Sequence, residues 1–334
     1  MYLEVLFLLF VTYFFYQILT KFAKKLNLVD IPNERSSHNV PTIKGFGIVI
    51  FASIGLTLLI FQPSIFVDNK YLLSSILLIG LLGMADDIKS TPPVIKIATL
   101  ALVYFLLYAE GFIITNLGVF IGANLELSLV GGIVFSALSI MTFTNAFNLI
   151  DGLDGLSGLI AIIIFSSFLL IGIMNNDKLL VTIPILFITS LSVFIFYNWH
   201  PAKIFLGDSG SLMIGFVISI LGVRSLDYIE PISILYIASV PIIDFLFVTF
   251  RRTLAGTSIF QADRLHCHHI LLSYFNNNVK KTVITIACFQ LLLSILALLY
   301  VSKVSDSFLA LLLFVFIFLI IYFFLKTIRI VKLR

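Results

Sequence analysis

Charged residues are scarce in this sequence of 334 residues. Asp, Glu, Lys and Arg make up only 11% of it, hydrophobic residues make up 60%, and the mean hydropathy is +1.14. A soluble domain carries about 25% charged residues, so the composition excludes a soluble globular protein. It predicts an all-α, polytopic integral membrane protein, a helix bundle in a lipid bilayer. The net charge of +4 does not indicate a nucleic-acid partner, because basic residues in such proteins mainly mark topology.

Cysteines and signal-peptide features are also lacking. Cys267 and Cys288 are the only two cysteines, which excludes a disulfide framework. The apolar N-terminal run contains Glu4 where a signal peptide has basic residues, and it has no A-x-A-like cleavage site. We therefore expect a retained first helix. No repeat, low-complexity linker or soluble domain interrupts the chain, which predicts one membrane-embedded domain over residues 1–334.

Long apolar runs recur along the whole chain. A membrane-spanning helix needs about 20 mostly apolar residues, and about eleven runs qualify, or ten if one short run is discounted. The predicted spans are roughly 3–20, 45–62, 70–85, 94–109, 130–149, 158–174, 179–197, 211–226, 231–250, 281–301 and 307–326.

The distribution of Lys and Arg predicts the orientation of these spans. With the N-terminus outside and the C-terminus in the cytoplasm, sixteen Lys and Arg residues fall in cytoplasmic segments and four in outer ones. This is the asymmetry that the positive-inside rule describes. The cytoplasmic loops are then about 21–44, 86–93, 150–158, 198–210 and 251–280. All five histidines and six aspartates map to this side: His38, His200, His266, His268, His269, Asp86, Asp87, Asp151, Asp154, Asp208 and Asp263.

The first polar motif, GMADDIKSTPP, closes the third span and contains Asp86 and Asp87. Adjacent carboxylates at a membrane boundary repel each other unless a cation or a proton lies between them. Mg²⁺ prefers such hard oxygen ligands, often one or two carboxylates together with substrate phosphates. An isolated Asp-Asp pair is also consistent with a solvated helix end.

The second motif, NAFNLIDGLDGLSG, follows an apolar run. Asn145, Asn148 and Asp151 recur every three residues and form a polar stripe on a helix. The glycines that follow each weaken a helix by roughly 1 kcal/mol, and they let a ligand approach the backbone. Amide and carboxylate groups here can bind a nucleobase, a ribose or a metal. A glycine-rich helix contact would explain the glycines but not the polar side chains.

The third motif, FLGDSGS, places Asp208 at the mouth of the eighth span. Asp or Ser at this point can cap the first turn of a helix. A carboxylate there can equally hold a metal that faces a phosphate near the helix N-terminus. The letters GDSG also surround the nucleophile of serine proteases, but the composition excludes that soluble β-barrel.

The fourth motif, ADRLHCHH, is rich in histidine. His266 and His269 are three residues apart and are predicted to share a helix face. Imidazolium groups suit contacts with transferring phosphates. A zinc site that includes Cys267 is the alternative, but no fourth ligand is evident.

A polar loop and one intramembrane acid complete the candidates. Loop 29–47 offers His38 and Lys44 as contacts for a polar ligand, or it is a basic connection between helices. Asp244 lies inside the ninth span, where an acid is energetically expensive. It is either a structural hydrogen-bonding partner or a functional group, and the sequence leaves both open.

In this order, DIPNERSSH, DD, NAFNLIDGLDGL, FLGDSGS and RR…ADRLHCHH resemble the motifs of the polyprenyl-phosphate N-acetylhexosamine-1-phosphate transferases. The resemblance extends from about residue 29 to 272. The fourth motif looks more like the enzymes that initiate O-antigen, common-antigen or teichoic-acid synthesis than like the phospho-MurNAc-pentapeptide transferase, which stays an alternative. A secondary transporter is the alternative from another class.

The resemblance implies a Mg²⁺-dependent reaction, with Mn²⁺ as a substitute metal, in the bacterial inner membrane with the site facing the cytoplasm. Undecaprenyl phosphate would attack the β-phosphorus of a UDP-N-acetylhexosamine, most simply UDP-GlcNAc, and UMP would leave. The product would start a cell-surface polysaccharide. A homodimer is a further expectation.

The resemblance also assigns residues by their place in the motifs. The catalytic acids are Asp86, Asp87 and Asp151, and the metal ligands are Asp208 and Asp87. The substrate-binding residues are Asn145, Asn148, Gly152, Leu153, Asp154, Phe205, Lys44, His38, Arg264, His266, His268 and His269. Among these, Asp154 is the candidate for a contact with uracil and Phe205 for stacking on it. The histidines are the candidates for the diphosphate or the sugar.

Overall fold

A computed structural model describes residues 2–32, 40–89, 91–257, 265–304 and 306–332. The α-helices in this part of the chain are α1 (Tyr2–Phe22), α2 (Phe46–Phe61), α3 (Pro63–Asp68), α4 (Lys70–Ile88), α5 (Pro93–Ala109), α6 (Leu129–Leu149), α7 (Leu156–Asn175), α8 (Lys178–Asn198), α9 (Asp208–Ser225), α10 (Ser233–Ile237), α11 (Ser239–Leu254), α12 (Cys267–Tyr274), α13 (Val279–Leu299) and α14 (Ser307–Lys332). A 3₁₀-helix covers Val301–Lys303. The strands are β1 (Val29–Asp30), β2 (Thr42–Ile43), β3 (Asn116–Phe120) and β4 (Ala123–Glu126).

The helices confirm the predicted all-α membrane architecture. Eight of the described helical segments are long and apolar enough to cross a membrane, while α2 and α5 are apolar but shorter. Every predicted span falls on a helix. The count of eleven spans and their orientation stay predictions.

The predicted ninth span, 231–250, is two helices rather than one. The helix is interrupted at Ala238, between α10 and α11. Pro241 has no N–H to donate to the carbonyl of Ile237 four residues earlier. The side chain of Gln290 from α13, which is fully buried, donates to that carbonyl at 2.7 Å and accepts from the Val240 amide at 2.9 Å. A buried amide side chain therefore satisfies the backbone groups that the break releases.

Helix α9 lies at the centre of the bundle. In the 18-residue apolar segment of α9, 78% of the residues are buried, against 22% in that of α14, which lies at the periphery. Glycines let α2 and α4 approach its first turn at backbone distance. A Cβ atom on Gly47 would lie 2.0 Å from the amide nitrogen of Gly210, and one on Gly83 would lie 2.5 Å from Cα of Ser209. Two helices therefore hold the start of α9 without intervening side chains.

Backbone hydrogen bonds fix the segment that leads into α9. Strand β1 pairs antiparallel with β2. The carbonyl of Ile43 in β2 accepts from the amide of Phe205 at 2.8 Å, and the carbonyl of Leu206 accepts from Gly47 at 3.0 Å. The start of α2 and the start of α9 are therefore tied together.

The two ends of the bundle can be told apart by their polar residues. We call the end at which α4 and α6 finish and α9 begins the Asp end, after Asp86, Asp87 and Asp208. We call the other the hairpin end, because β3 and β4 form an antiparallel hairpin there.

Candidate functional site

Asp87 caps the first turn of α9. Its two carboxylate oxygens accept hydrogen bonds from the amides of Asp208 at 2.8 Å and Ser209 at 3.0 Å, and the residue is 4% exposed. A helix start has free N–H groups and a partial positive charge, so a carboxylate is stabilised there. The predicted acid of the first motif therefore holds the backbone of the third motif in place.

Gly207 allows this contact. Its φ is +76°, in the region that favours glycine. A Cβ atom at this position would lie 2.7 Å from one carboxylate oxygen of Asp87. Only glycine fits both the backbone conformation and the approach of the acid.

Asp86 has different partners from its neighbour. One oxygen accepts from the Thr91 amide at 2.6 Å and the Thr91 hydroxyl at 2.7 Å, and the other accepts from Nζ of Lys96 at 2.5 Å. Its carboxyl group is also in direct contact with that of Asp208. Neither Lys96 nor Thr91 is among the site residues predicted from the sequence. A single lysine in the fourth apolar span was the signal that could have found Lys96.

Asp208 and Asn148 join the second and third motifs. The Asn148 side-chain amide donates to Oδ1 of Asp208 at 2.8 Å and to the hydroxyl of Ser211 at 2.7 Å. Asp208 therefore lies between the end of α4, which carries Asp86 and Asp87, and the end of α6. The three predicted motifs converge as the sequence indicated.

Asp151 lies in the connection between α6 and α7. The hydroxyl of Ser157 donates to it at 2.5 Å. Burial of the carboxyl group raises its pKa to about 6; the Ser157 hydrogen bond opposes this, and the negative charges of Asp87 and Asp154 add to it. Asp151 therefore takes up a proton at a higher pH than an ordinary aspartate does.

Asp154 is paired with a histidine that the sequence argument placed on this face without giving it a role. One oxygen of Asp154 accepts from the Ala202 amide at 3.1 Å and lies 2.7 Å from Nδ1 of His200. Asn198 connects the same two segments, because it accepts from the Gly155 amide and donates to the carbonyl of Ile204, both at 2.7 Å. The polar residues of the NWHP segment are the feature of the sequence that could have indicated Asn198 and His200.

The other predicted substrate contacts differ in accessibility. Asn145 is exposed and lies one turn before Asn148 on α6, while Lys44 and Phe205 are half-buried. Leu153 is 6% exposed and packs in the hydrophobic core, so its side chain is not offered to a ligand. His38 and Arg264 lie outside the described residues.

The histidines form one cluster. The rings of His266, His268 and His269 have centroids 4.2 to 6.5 Å apart. Helix α12 begins at Cys267, so His266 precedes the helix, and the predicted shared helix face is wrong in that detail. Nε2 of His268 lies against Gly152, since a Cβ atom there would be 2.5 Å from it. Burial lowers the pKa of His268 to about 3, so this ring is neutral.

The donor set at the Asp end fits a hard divalent cation that completes its coordination with substrate and water. Among the described residues, no three His, Cys, Asp or Glu side chains form a ready-made metal cluster. Mg²⁺ does not need one, because it is commonly held by one or two carboxylates plus phosphate oxygens. Two carboxyl groups in direct contact, Asp86 and Asp208, are the arrangement that a cation would stabilise.

Comparison with known proteins agrees with this geometry. Residues 70–226 match the family model described as Glycosyl transferase family 4. The chain is 30% identical over 264 residues to a probable undecaprenyl-phosphate N-acetylglucosaminyl 1-phosphate transferase of Bacillus subtilis, covering 77% of this chain and 73% of that protein. It is 31% identical over 292 residues to the undecaprenyl-phosphate alpha-N-acetylglucosaminyl 1-phosphate transferase of Thermotoga maritima, covering 86% and 87%.

A protein of Escherichia coli K12 with the same name as the Thermotoga relative is 28% identical over 279 residues, 80% of this chain and 75% of that protein. The matches extend well beyond any single motif, and they include the segment that carries Asp86, Asn148 and Asp208. The chain belongs to the family of polyprenyl-phosphate N-acetylhexosamine-1-phosphate transferases.

Proposed function

We propose that this protein transfers N-acetylglucosamine-1-phosphate from UDP-GlcNAc to undecaprenyl phosphate and releases UMP. The reaction takes place at the cytoplasmic surface of the bacterial inner membrane and starts a cell-surface polysaccharide. The observation that carries the proposal is the contact of three motifs from distant parts of the chain: Asp87 with the backbone of Asp208, and Asn148 with its side chain. The names of the relatives support the choice of donor and acceptor.

The chemistry is a displacement at phosphorus. An oxygen of the lipid phosphate bonds to the β-phosphorus, and the bond from that phosphorus to the oxygen bridging the two phosphates breaks, so UMP leaves with the electron pair. A phosphate monoester is already ionised near pH 7, so no strong base is required. The main tasks of the protein are to position the two phosphates and to offset their charge.

A magnesium ion would supply that charge compensation, as metals do for transferring phosphates. In our proposal Asp208 and the adjoining Asp86 hold it, because their carboxyl groups are in contact. Asp87, the other predicted ligand, has both oxygens on the amides of α9. We therefore assign it the task of fixing Asp208, while Lys96 limits the negative charge on Asp86.

The proposed reaction also requires an apolar groove that holds the lipid chain. A cavity of about 460 Å³ opens between α6, α9, α10 and α11, and apolar side chains such as Phe143, Ala146, Ile218 and Leu246 line it. Ala146 lies within one turn of Asn148 on α6, so the cavity extends along α6 to the level of the polar site. We propose that the prenyl chain lies here, with its phosphate at the Asp end.

The nucleotide lies, in this proposal, between the α6–α7 connection and the segment before α9. Asp151, Gly152 and Asp154 bound one side, and Phe205 bounds the other. The histidine cluster contacts the diphosphate or the sugar, since Gly152 and His268 are adjacent.

The test is a purified-protein assay with undecaprenyl phosphate, Mg²⁺ and a panel of UDP-sugars, including UDP-GlcNAc, UDP-GalNAc and UDP-MurNAc-pentapeptide. We expect equal amounts of UMP and lipid-linked product with UDP-GlcNAc, and no turnover after the metal is chelated. UMP from none of the donors would contradict the transferase function, and a preference for the pentapeptide donor would favour the alternative branch. Mn²⁺ in place of Mg²⁺, and the mass of the detergent-solubilised protein, test the substitute metal and the predicted homodimer.

A secondary transporter is the less suitable function. Such proteins bind their substrate near the middle of the membrane. Here the described polar residues of the first three motifs meet at the ends of α4 and α6 and the start of α9. Uptake of a UDP-sugar into vesicles without UMP release is the result that would favour it.

A further inference from the structure

Asp244 is a buried acid in the ninth span predicted from the sequence. It lies in α11, six residues after the break between α10 and α11, and it is 3% exposed. An uncompensated carboxylate is very unfavourable in such a place, so its partners indicate why it is tolerated. Those partners belong to the histidine cluster.

Both oxygens of Asp244 are used at the start of α12. One lies 2.6 Å from Nδ1 of His266. The other accepts from the amide of Cys267 at 2.7 Å and lies 3.9 Å from Nδ1 of His268. The amide of Cys267 is one of the free N–H groups of the first turn of α12. One acid therefore fixes both the backbone and two rings.

The hydrogen bond determines which nitrogen of His266 is left for other partners. A carboxylate only accepts hydrogen bonds, so Nδ1 of His266 carries the proton. Nε2 is then the atom that can face a ligand. The adjacent His268 ring already extends to Gly152 in the second motif, which places the cluster beside the proposed nucleotide site.

We propose that Asp244 is a positioning residue: it holds His266 with Nδ1 donating to the carboxylate, so that Nε2 is presented to the diphosphate of the nucleotide sugar. Asp244 does not touch the substrate and acts through His266. This inference rests on the proposed function for the identity of the ligand. It goes beyond that function because it gives Asp244 a role.

A double-mutant cycle tests the proposal, because two residues that act through one interaction have non-additive effects. We expect Asp244→Asn to weaken UDP binding and slow UMP release by about 10- to 100-fold, the range found for partners that orient a ligating histidine. His266→Asn should have at least as large an effect. Adding Asp244→Asn to His266→Asn should change either quantity by less than about threefold.

Asp177→Asn is the matched control. Asp177 is also a buried carboxylate with several hydrogen bonds, but it lies at the hairpin end. Asp177→Asn should change UDP binding and UMP release by less than about threefold, and by the same factor with or without His266→Asn, as expected for independent sites. If the effects of Asp244→Asn and His266→Asn also multiply, Asp244 has a purely structural role and the proposal is overturned.

His266→Asn tests the proposal without altering Asp244, in case the Asp244 variant does not fold. An Asn side chain can keep a donor near the position of Nδ1 but has nothing at Nε2. We expect a thermal midpoint close to that of the wild type together with loss of UDP affinity. Wild-type affinity in this variant would overturn the proposal.

UDP binding separates this inference from the proposed function. It is measured with Mg²⁺ and UDP alone, by the shift in thermal midpoint with ligand concentration, and it requires neither sugar nor lipid. A protein that binds UDP but releases no UMP from any donor contradicts the transferase function. The double-mutant cycle is then measured through UDP affinity alone and still tests the role of Asp244. A wild-type protein that releases UMP from UDP-GlcNAc but does not bind UDP overturns this inference and leaves the proposed function standing.

Discussion

Buried acids at the two ends of the bundle have opposite surroundings. At the hairpin end, Asp177 caps α8 through the amide of Leu180 at 2.9 Å and also accepts from Arg224 and Tyr228. Burial raises its pKa, but these hydrogen bonds and the guanidinium outweigh it and hold the pKa below its usual value. At the Asp end, Asp86, Asp87 and Asp208 are adjacent to one another, and Lys96 is the cation that the structure pairs with them.

The difference distinguishes Asp177, which the fold compensates, from the acids that we propose to be functional. A carboxylate whose oxygens face amides, a hydroxyl and a guanidinium is fully compensated without a ligand. A group of carboxyl groups that adjoin one another, as Asp86 and Asp208 do, is stabilised when a cation or a proton joins it. A cavity alone does not make this distinction, since Asp177, Arg224 and Tyr228 line one of about 410 Å³.

The largest effect is expected from Asp208→Asn. The substitution keeps an oxygen for Asn148 but removes a negative charge from the proposed metal site, so we expect UMP release to fall by about 10³-fold or more. The thermal midpoint should stay close to that of the wild type. An initial-rate assay of the purified protein measures it, and a loss smaller than threefold would remove Asp208 from the site.

The reverse pattern is expected from Asp177→Ala. It removes the acceptor for the Leu180 amide and for Arg224 and Tyr228, at a cost of about 1–3 kcal/mol in the free energy of unfolding. The rate of UMP release at a temperature where the variant is folded should remain within about threefold of the wild type, as for substitutions with no shared partners. A large loss of activity in the folded variant would break the comparison between the two ends.

An effect confined to one side of the pH range is expected at Asp151. Its pKa is about 6 in the fold, above the ordinary value of about 3.9. The folded state therefore binds a proton at Asp151 more tightly than the unfolded state does. The stabilisation that this proton gives is fully present below about pH 4 and is lost as the pH rises through about 6. We expect Asp151→Asn to be more stable than the wild type at pH 8, by about 1–3 kcal/mol, and to show no such advantage at pH 4.

That measurement compares thermal midpoints of the two proteins across pH 4 to 8 without substrate. The matched control is Asp177→Asn, whose acid has a lowered pKa and should give no gain at pH 8. An Asp151→Asn variant that is less stable than the wild type at pH 8 would mean that the charged carboxylate is stabilised, not penalised, by its surroundings.

The sequence predicted the membrane bundle and the meeting of motifs, because hydropathy and polar clusters are local patterns. It did not predict how Asp86 and Asp87 differ. Asp87 caps α9 across 121 positions, whereas Asp86 is held by residues that follow within ten. Two adjacent residues at the end of a helix point in different directions. Only the packing of α4 on α9 decides which partner each acid meets.

Two other details depended on tertiary partners. The break before α11 follows from Pro241, which is visible in the sequence, but its stabilisation by Gln290 requires α13 to pack there. Asp244 could not be assigned from the sequence, because its partner His266 lies 22 residues away across the segment that includes Arg264. The hydrogen bond identifies the partner of Asp244, and the double-mutant cycle decides between a structural and a functional role.

The glycine contacts at the start of α9 have a consequence for how this enzyme family can diversify. Gly47 and Gly83 bring two helices to backbone distance from Ser209 and Gly210, so no side chain there can be enlarged or trimmed to adjust the spacing of Asp86, Asp87 and Asp208. The spacing at the proposed reacting centre is therefore set by backbone contacts. If the proposal holds, a different donor sugar or lipid is accommodated by the connections and grooves around these acids, and the spacing of the acids stays constant.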